Sequence, residues 1–417
     1  MMNPLFSPPL YLQRYEFVID FVNKNQPKKV VDLGCNDCAL LRMLKFHRVI
    51  ELLAGVDIKS DVIRKKMYAL APIPIDYLQP GESPLTIELY QGSVTERDSR
   101  IKGFDLVTSI ELIEHLQLED VSRFTEVVFG YMAPVAAIIS TPNADFNPLL
   151  PGLTGFRHYD HKFEWTQAQF HSWALKVCRE FGYVVEFTGV GQIPGQEESI
   201  GFCSQIGVFH RDRLEGDAPC QPSDVTKEHI PYRLLYKVVY PSLRDNNIFH
   251  RTLVNEVLFW AETLRREWVG LGGTGGEDSE WPPERMGRED HLNSGEQEQQ
   301  MECGRELEAG YEELDRTPVA RVNEEPYREG LSVCVPLVRV LSCPRVQALC
   351  GTIQRLKAVL LDDCRVQVTV DGTAMVLADD EEDDDEDSEQ DEDIDNGGII
   401  HFLARSEVNE DWETELV

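Results

Sequence analysis

Short apolar runs rich in β-branched residues recur through the first 210 residues of this 417-residue chain, with helix-length segments between them. Lys29–Leu33 (KVVDL), Leu52–Ile58 (LLAGVDI), Leu85–Tyr90 (LTIELY), Phe104–Ile110 (FDLVTSI) and Ala136–Thr141 (AAIIST) read as strands, the last stopped by Pro142. Asp37–Phe46, Asp61–Leu70 and Glu119–Met132 have helical length. Thr166–Phe181 carries the i, i+3, i+4 pattern at Phe170, Trp173, Ala174 and Val177. Strand–helix–strand units cross over right-handed and build parallel sheets with helices on both faces. The pattern therefore predicts a Rossmann-like, doubly wound α/β domain over 1–210. Tyr183–Val190 and Phe202–Phe209 are its closing antiparallel pair.

Beyond His210 the pattern thins. Leu234, Leu235, Val238, Leu253, Val257, Leu258 and Trp260 suggest that 211–268 is a helical extension of one or two helices. Residues 269–330 lack any sustained period and read as a disordered linker; 331–377 regain apolar content and read as a small ordered patch. The segment 378–417 opens on Asp379–Asp395, where 14 of 17 residues are acidic, and is expected to be a solvated tail. The charge follows this division. Residues 1–210 carry 19 Lys and Arg against 25 Asp and Glu, so most of the net −33 belongs to the second half. Phosphate neutralisation normally drives nucleic-acid affinity, so an RNA role for so acidic a chain needs local bases, a cation, or a partner that delivers the RNA. The ten cysteines follow no framework spacing. Neither a signal-type N-terminus nor an apolar run of about 18 residues is present, so an intracellular, reduced protein without membrane segments is expected.

Asp32-Leu33-Gly34-Cys35-Asn36-Asp37 follows the first strand directly. A glycine there lets the backbone approach a ligand, and the next helix offers free amides. Roughly twenty residues on, the second strand ends in Asp57, placed to bind both hydroxyls of a ribose. This resembles the class I S-adenosylmethionine-dependent methyltransferases, in which the turn is usually Gly-x-Gly. Asn36 replaces the second glycine here and tolerates left-handed backbone. Ser93, after the third strand, resembles the polar residue that contacts adenine in such folds. An NAD site would want a fuller glycine motif. Cys35 and Cys38 form a C-x-x-C inside this turn and are expected to be packing residues.

The fourth strand runs into Ser109-Ile110-Glu111-Leu112-Ile113-Glu114-His115. In a helical turn, residues three and four apart share a face, so Glu111, Glu114 and His115 are expected to point one way. Two carboxylates and an imidazole at a strand's carboxyl end suit Mg²⁺ or Mn²⁺ better than a closed zinc site. The structural alternative is a helix start stabilised by acids. A further ligand is expected from the polar-aromatic loop Phe156-Arg157-His158-Tyr159-Asp160-His161-Lys162-Phe163-Glu164-Trp165.

These motifs together resemble the small-RNA 3′-terminal 2′-O-methyltransferases, whose animal branch acts on PIWI-interacting RNAs. The resemblance rests on Phe6-Ser7-Pro8-Pro9-Leu10 with Gln13-Arg14, Asp32-Leu33-Gly34, Glu111–His115, Ser140-Thr141-Pro142-Asn143, and Asp160–Thr166. It covers roughly residues 5–210 and stops before residue 220. It implies a cation held by Glu111, Glu114, His115 and His161, with a PIWI-type protein presenting the RNA in the cytoplasm or in germ-cell ribonucleoprotein granules.

Such a cation would chelate the 2′- and 3′-hydroxyls of the terminal ribose, and His115 or His161 would take the proton. The cofactor side is expected to use Asp32, Gly34, Asp37, Asp57 and Ser93. Phe156, Tyr159 or Phe163 is expected to stack on the last base. Arg14, Arg42, Lys45, Arg48, Arg64, Lys65 and Lys66 are candidates to track the backbone. The alternatives are a metal-dependent O-methyltransferase of catechol-like small molecules and a non-enzymatic adaptor working through the acidic tail. A metalloprotease is excluded, since the inverted zinc motif needs His at position 111.

Overall fold

In the computed structural model the described residues are 5–192, 200–212, 229–271 and 325–378. They divide into two compact units, one of the residues up to Phe249 and one of those from His250 on. The first unit contains an eight-stranded sheet. Its strands are β1 (Lys29–Leu33), β2 (Leu52–Asp57), β3 (Thr86–Gln91), β4 (Leu106–Ile110), β5 (Ala136–Pro142), β6 (Tyr183–Val190), β7 (Ser204–Arg211) and β8 (Arg233–Val239), in the order β6-β7-β5-β4-β1-β2-β3-β8. The first five are parallel, and β7 pairs antiparallel with both β5 and β6. This is the doubly wound sheet with an antiparallel closing pair that the apolar runs imply.

Buried side chains on both sheet faces explain why four of those runs are nearly continuously apolar, while β3 alternates. One face carries α1 (Leu10–Asn25), α2 (Ala39–Leu44) and α3 (Ser60–Lys66), with Val18, Val22, Leu40, Leu41, Leu44 and Ile63 packed on Val30, Leu53 and Leu106. A short α4 (Pro74–Leu78) follows α3. The other face carries α5 (Leu118–Thr125) and α6 (Gln167–Phe181), with Phe124, Phe170, Ala174 and Val177 against Val31, Val56 and Val107. The stretch expected as one helix over 119–132 changes character at Glu126, continuing to Met132 as a wider π-type turn. Helix α6 starts on a capping box: Thr166 accepts from the Gln169 amide, and the Gln169 side chain accepts from the Thr166 amide.

Two segments differ from expectation. Residues 10–25 form a helix the strand count did not include. The segment expected as a helical extension, 211–268, contributes strand β8 before its helix; β8 pairs antiparallel with β3 and extends the sheet beyond residue 210. Just ahead of it, Tyr232 is buried and donates from its hydroxyl to the carbonyls of Ser93 (2.9 Å) and Glu96 (3.0 Å). Its ring lies across Gly92, where an added Cβ would stand 2.2 Å from Tyr232 Cδ1. The ring is tethered at its far end and cannot swing away. Gly92→Ala is therefore expected to destabilise this unit by about 1–3 kcal/mol, read as a lower denaturation midpoint at unchanged slope.

The second unit contains most of α7 (Asn246–Gly270), a sheet of β9 (Tyr327–Glu329), β10 (Ser332–Pro336) and β11 (Ala374–Ala378), and helices α8 (Leu337–Leu341), α9 (Pro344–Cys350) and α10 (Ile353–Leu361). Leu253, Val257, Val333, Val335, Val340, Leu356 and Leu360 are fully buried. Most of the expected 269–330 linker and the acidic tail lie outside the described residues. No helix among the described residues is long and apolar enough to cross a membrane.

Candidate active site

The strand order reverses between β1 and β4, the point where an open α/β sheet leaves a crevice at its carboxyl edge. Both motif-bearing turns start there. Gly34 has φ +81°, and a Cβ on it would lie 2.8 Å from Leu112 Cδ1. The cofactor turn thus rests directly on the turn carrying Glu111 and Glu114. Asn36 takes φ +44°, the left-handed backbone its substitution for glycine requires. Its amide donates to Asp57 Oδ2 (3.0 Å), and the Lys59 amide donates to Asp57 Oδ1 (2.8 Å). Asp32 is buried and accepts from the Thr108 hydroxyl at 2.7 Å. Burial pushes its carboxyl up to about 7, the Thr108 bond opposes this, and the nearby Asp57 charge adds to it. The Ser93 hydroxyl bonds Thr95 Oγ1 at 2.7 Å. Asp37 serves the local helix, accepting from the Ala39 amide and pairing with Arg42. Cys35 and Cys38 are buried in the core beneath the turn.

The second turn differs from a regular helical start. Only Ile113–His115 form a 3₁₀ turn, and Glu111 precedes it at φ +50°. The i, i+3, i+4 argument therefore does not place Glu111 on one face with Glu114 and His115. Its carboxylate is held elsewhere: Oε1 accepts from Ser140 Oγ (2.8 Å) and Ser204 Oγ (2.7 Å), and Oε2 lies 3.7 Å from the guanidinium of buried Arg14. Left-handed backbone in a non-glycine residue costs on the order of 1–3 kcal/mol and is found where the surroundings fix it. Glu114 is fully buried; Oε2 accepts from Thr141 Oγ1 (3.0 Å), while Oε1 has no hydrogen-bond partner. Burial and the neighbouring Glu111 charge hold its carboxyl well above the usual range.

The polar-aromatic loop closes on this turn through the Lys162 amide, which donates to the Glu114 carbonyl at 2.8 Å. His161 comes to 4.8 Å, ring to ring, from His115. Among the described residues, the ligand atoms that lie within 4.8 Å of one another belong to His115, His158 and His161. His161 Nδ1 sits 2.6 Å from Glu164 Oε1, and His115 Nδ1 is 3.4 Å from Asp160 Oδ2. A carboxylate holding Nδ1–H leaves Nε2 with a lone pair, the usual support behind a metal-binding histidine. Burial, with the His161 ring adding to it, lowers His115 to about 4, so its ring is neutral at pH 7. The carboxylates of Glu111 and Glu114, expected as ligands, are not in that group of three histidines; the imidazole nitrogens and the unpartnered Glu114 oxygen are of the donor types that suit a divalent cation.

Several expected side chains do other work. Phe163 is buried on Trp165 (4.7 Å), leaving Phe156 and Tyr159 as the exposed rings of the loop. Arg14 is buried beside Glu111 and cannot track a backbone at the surface. Lys45 and Arg48 line a cavity of about 250 Å³ at the amino ends of β2 and β3, away from the turns. Sequence reasoning missed Glu164, which ties His161 to Asn147 (2.6 Å) and to the Arg157 amide (2.6 Å). It also missed the Ser140–Ser204 pair on Glu111.

A doubly wound sheet with acids closing β1 and β2, a glycine turn between them and a histidine–carboxylate cluster at the switch point defines a Rossmann-like methyltransferase. The small RNA 2′-O-methyltransferase of Gallus gallus is 44% identical over 378 residues, covering 90% of this chain and 96% of that protein. The one from Xenopus tropicalis is 40% identical over 89% of this chain and 96% of its own length. The chain belongs to the small RNA 2′-O-methyltransferase family. Residues 247–378 match the family model described as HENMT1 C-terminal domain, so the likeness does not stop before residue 220 as the motifs alone suggested. The second unit is part of it. A crystal structure of small RNA methyltransferase HEN1 is 32% identical, covers 57% of this chain and 28% of that one, and has a TM-score of 0.48.

Proposed function

We propose that this chain transfers the methyl group of S-adenosylmethionine to the 2′-hydroxyl of the 3′-terminal nucleotide of small single-stranded RNA. The observation that carries this reading is the contact of Gly34 with Leu112, which sets the cofactor turn against the turn bearing Glu114 and His115. Methyl donor and hydroxyl acceptor are thereby held side by side. S-adenosylmethionine supplies the methyl group, and a divalent cation, Mg²⁺ or Mn²⁺, supplies positive charge that holds and acidifies the terminal diol.

The chain's own side chains do the rest. Asp57, its two oxygens aligned by the Asn36 and Lys59 amides, binds the cofactor ribose; Asp32, Gly34 and Ser93 line the same strand ends. Asp37 sits at the mouth of helix α2. His115, His161 and Glu114 hold the cation, while the Glu111 carboxylate is engaged by Arg14, Ser140 and Ser204. With a carboxylate facing each Nδ1, His115 and His161 offer Nε2 to a cation or to a hydroxyl proton. The exposed ring of Tyr159 offers a face for the last base. The motif resemblance to the animal branch supports a PIWI-interacting RNA as substrate, a PIWI-type protein as its carrier, and a site of action in cytoplasmic germ-cell granules.

The test is labelled methyl transfer to a short RNA, with and without chelator, followed by periodate treatment. The expected result is chelator-sensitive transfer that makes the RNA end resistant to periodate. An RNA ending in a 3′-phosphate lacks the diol and is expected to be methylated at least about a hundredfold more slowly. Equal turnover on that RNA would sink the diol model, and transfer to a catechol in place of RNA would favour the small-molecule alternative.

A further inference from the structure

We propose that Tyr232 is a positioning residue for the adenine ring of S-adenosylmethionine, its hydroxyl pinning the turn after β3 against which the base lies. This deepens the reading above and rests on it. The strands that carry the cofactor run in the order β4-β1-β2-β3. Asp57, proposed to hold the cofactor ribose, ends β2 opposite Gln91 at the end of β3. The sulfonium has to face the turn after β4, so the base, on the far side of the ribose, extends toward β3. Neighbouring strands lie about 4.8 Å apart, and the next residues along are Gly92–Glu96. The Gly92 amide donates to the Asp57 carbonyl at 3.1 Å, which ties this turn to the ribose site.

The turn is half-exposed apart from buried Val94, and Glu96 is open to solvent. The Glu96 amide donates to the Ser93 carbonyl (3.0 Å), and the Thr95 amide to Ser93 Oγ (3.3 Å). Its remaining support comes from the distant Tyr232, whose hydroxyl reaches the Ser93 carbonyl at 2.9 Å and the Glu96 carbonyl at 3.0 Å. Carbonyls only accept, so the single O–H hydrogen points at this pair. Tyr232 is itself held firmly. Its amide donates to buried Asp98 at 3.0 Å, its carbonyl accepts from the Arg100 guanidinium, and its ring is buried with Tyr90 and Val94. Packing needs only that ring. The hydroxyl adds a fixed post under two carbonyls of an otherwise half-exposed turn. Without it the turn would have to be ordered when the base arrives, and that cost would appear in cofactor affinity.

The test uses the full chain and Tyr232→Phe, which keeps the ring and its contact with Gly92. Calorimetry with S-adenosylhomocysteine reads affinity and the number of competent sites separately. Tyr232→Phe is expected to bind about three- to tenfold more weakly at unchanged stoichiometry. Its affinity for S-ribosylhomocysteine, which keeps the ribose and lacks the base, is expected to stay within about twofold. In methyl transfer, KM for S-adenosylmethionine is expected to rise by the same factor, with kcat and KM for RNA unchanged. Fewer competent sites at unchanged affinity would make Tyr232 a residue of the fold alone and overturn the proposal. Equal losses on both ligands, or a fall in kcat without a rise in KM, would overturn it too. Absence of S-adenosylhomocysteine binding by the unsubstituted chain would overturn the underlying cofactor reading, and this assignment with it.

Discussion

Glu114→Gln is expected to reduce methyl transfer by on the order of 10³-fold while the fold survives intact. Glu114 is fully buried, one oxygen takes the Thr141 hydroxyl, and the other has no partner. Without a cation, burial and the Glu111 charge make the ionised form costly, so its carboxyl stays protonated well above the usual range. The folded chain therefore holds a proton that the unfolded chain has lost, and this group's effect on stability worsens as pH rises above the ordinary carboxylate range. Glutamine keeps the shape and the Thr141 contact but removes the charge that a cation needs. The cation-free variant is expected to be at least as stable as the unsubstituted chain at pH 8. The rise in melting temperature on adding Mn²⁺, which follows from binding only the folded state, is expected to vanish. A variant that keeps both that rise and its turnover would remove Glu114 from the cation site.

Asp32→Asn is expected to separate stability from function in the same direction. The Asp32 carboxyl is pushed by burial from 3.8 to about 7, against the pull of the Thr108 hydroxyl. A raised folded-state value means the folded chain keeps a proton that the unfolded chain releases near 4. Stability is then lost progressively as pH rises from about 4 to about 7. Asparagine cannot ionise and still accepts from Thr108. Its stabilising effect is expected to be about 2–3 kcal/mol larger at pH 8 than at pH 5, measured by denaturant unfolding at both pH values. The same variant is expected to bind S-adenosylmethionine at least tenfold more weakly, because Asp32 is one of the residues proposed to line the cofactor site. A gain independent of pH would show that burial does not set the charge of this group.

Four of the five parallel strands were legible because each is buried on both faces and so reads as a nearly unbroken apolar run; β3 was legible from its alternation instead. Helix α1 was not, because Arg14 occupies one of its buried positions and breaks the apolar stripe; its partner Glu111 lies about a hundred residues away. Strand β8 was read as helical because Leu234, Leu235 and Val238 suit either spacing. The open edge of β3 decides the matter, and that is a long-range fact. In the site, the residue types and their two stretches were legible from the motifs. The left-handed backbone at Glu111 was not, since it depends on Ser140 and Ser204 arriving from β5 and β7.

Strand β8 and the Tyr232 ring have a consequence for how the chain comes to life. Both lie more than twenty residues past Arg211, where β7 ends, yet they cover the outer rim of the sheet and brace the loop that holds Ser93. A nascent chain, or one nicked in the intervening stretch, that ended near residue 211 would carry every motif of the chemistry. It would also leave the Thr86–Gln91 backbone unpaired and available to a second copy. Such a fragment is an aggregation hazard before it is an enzyme.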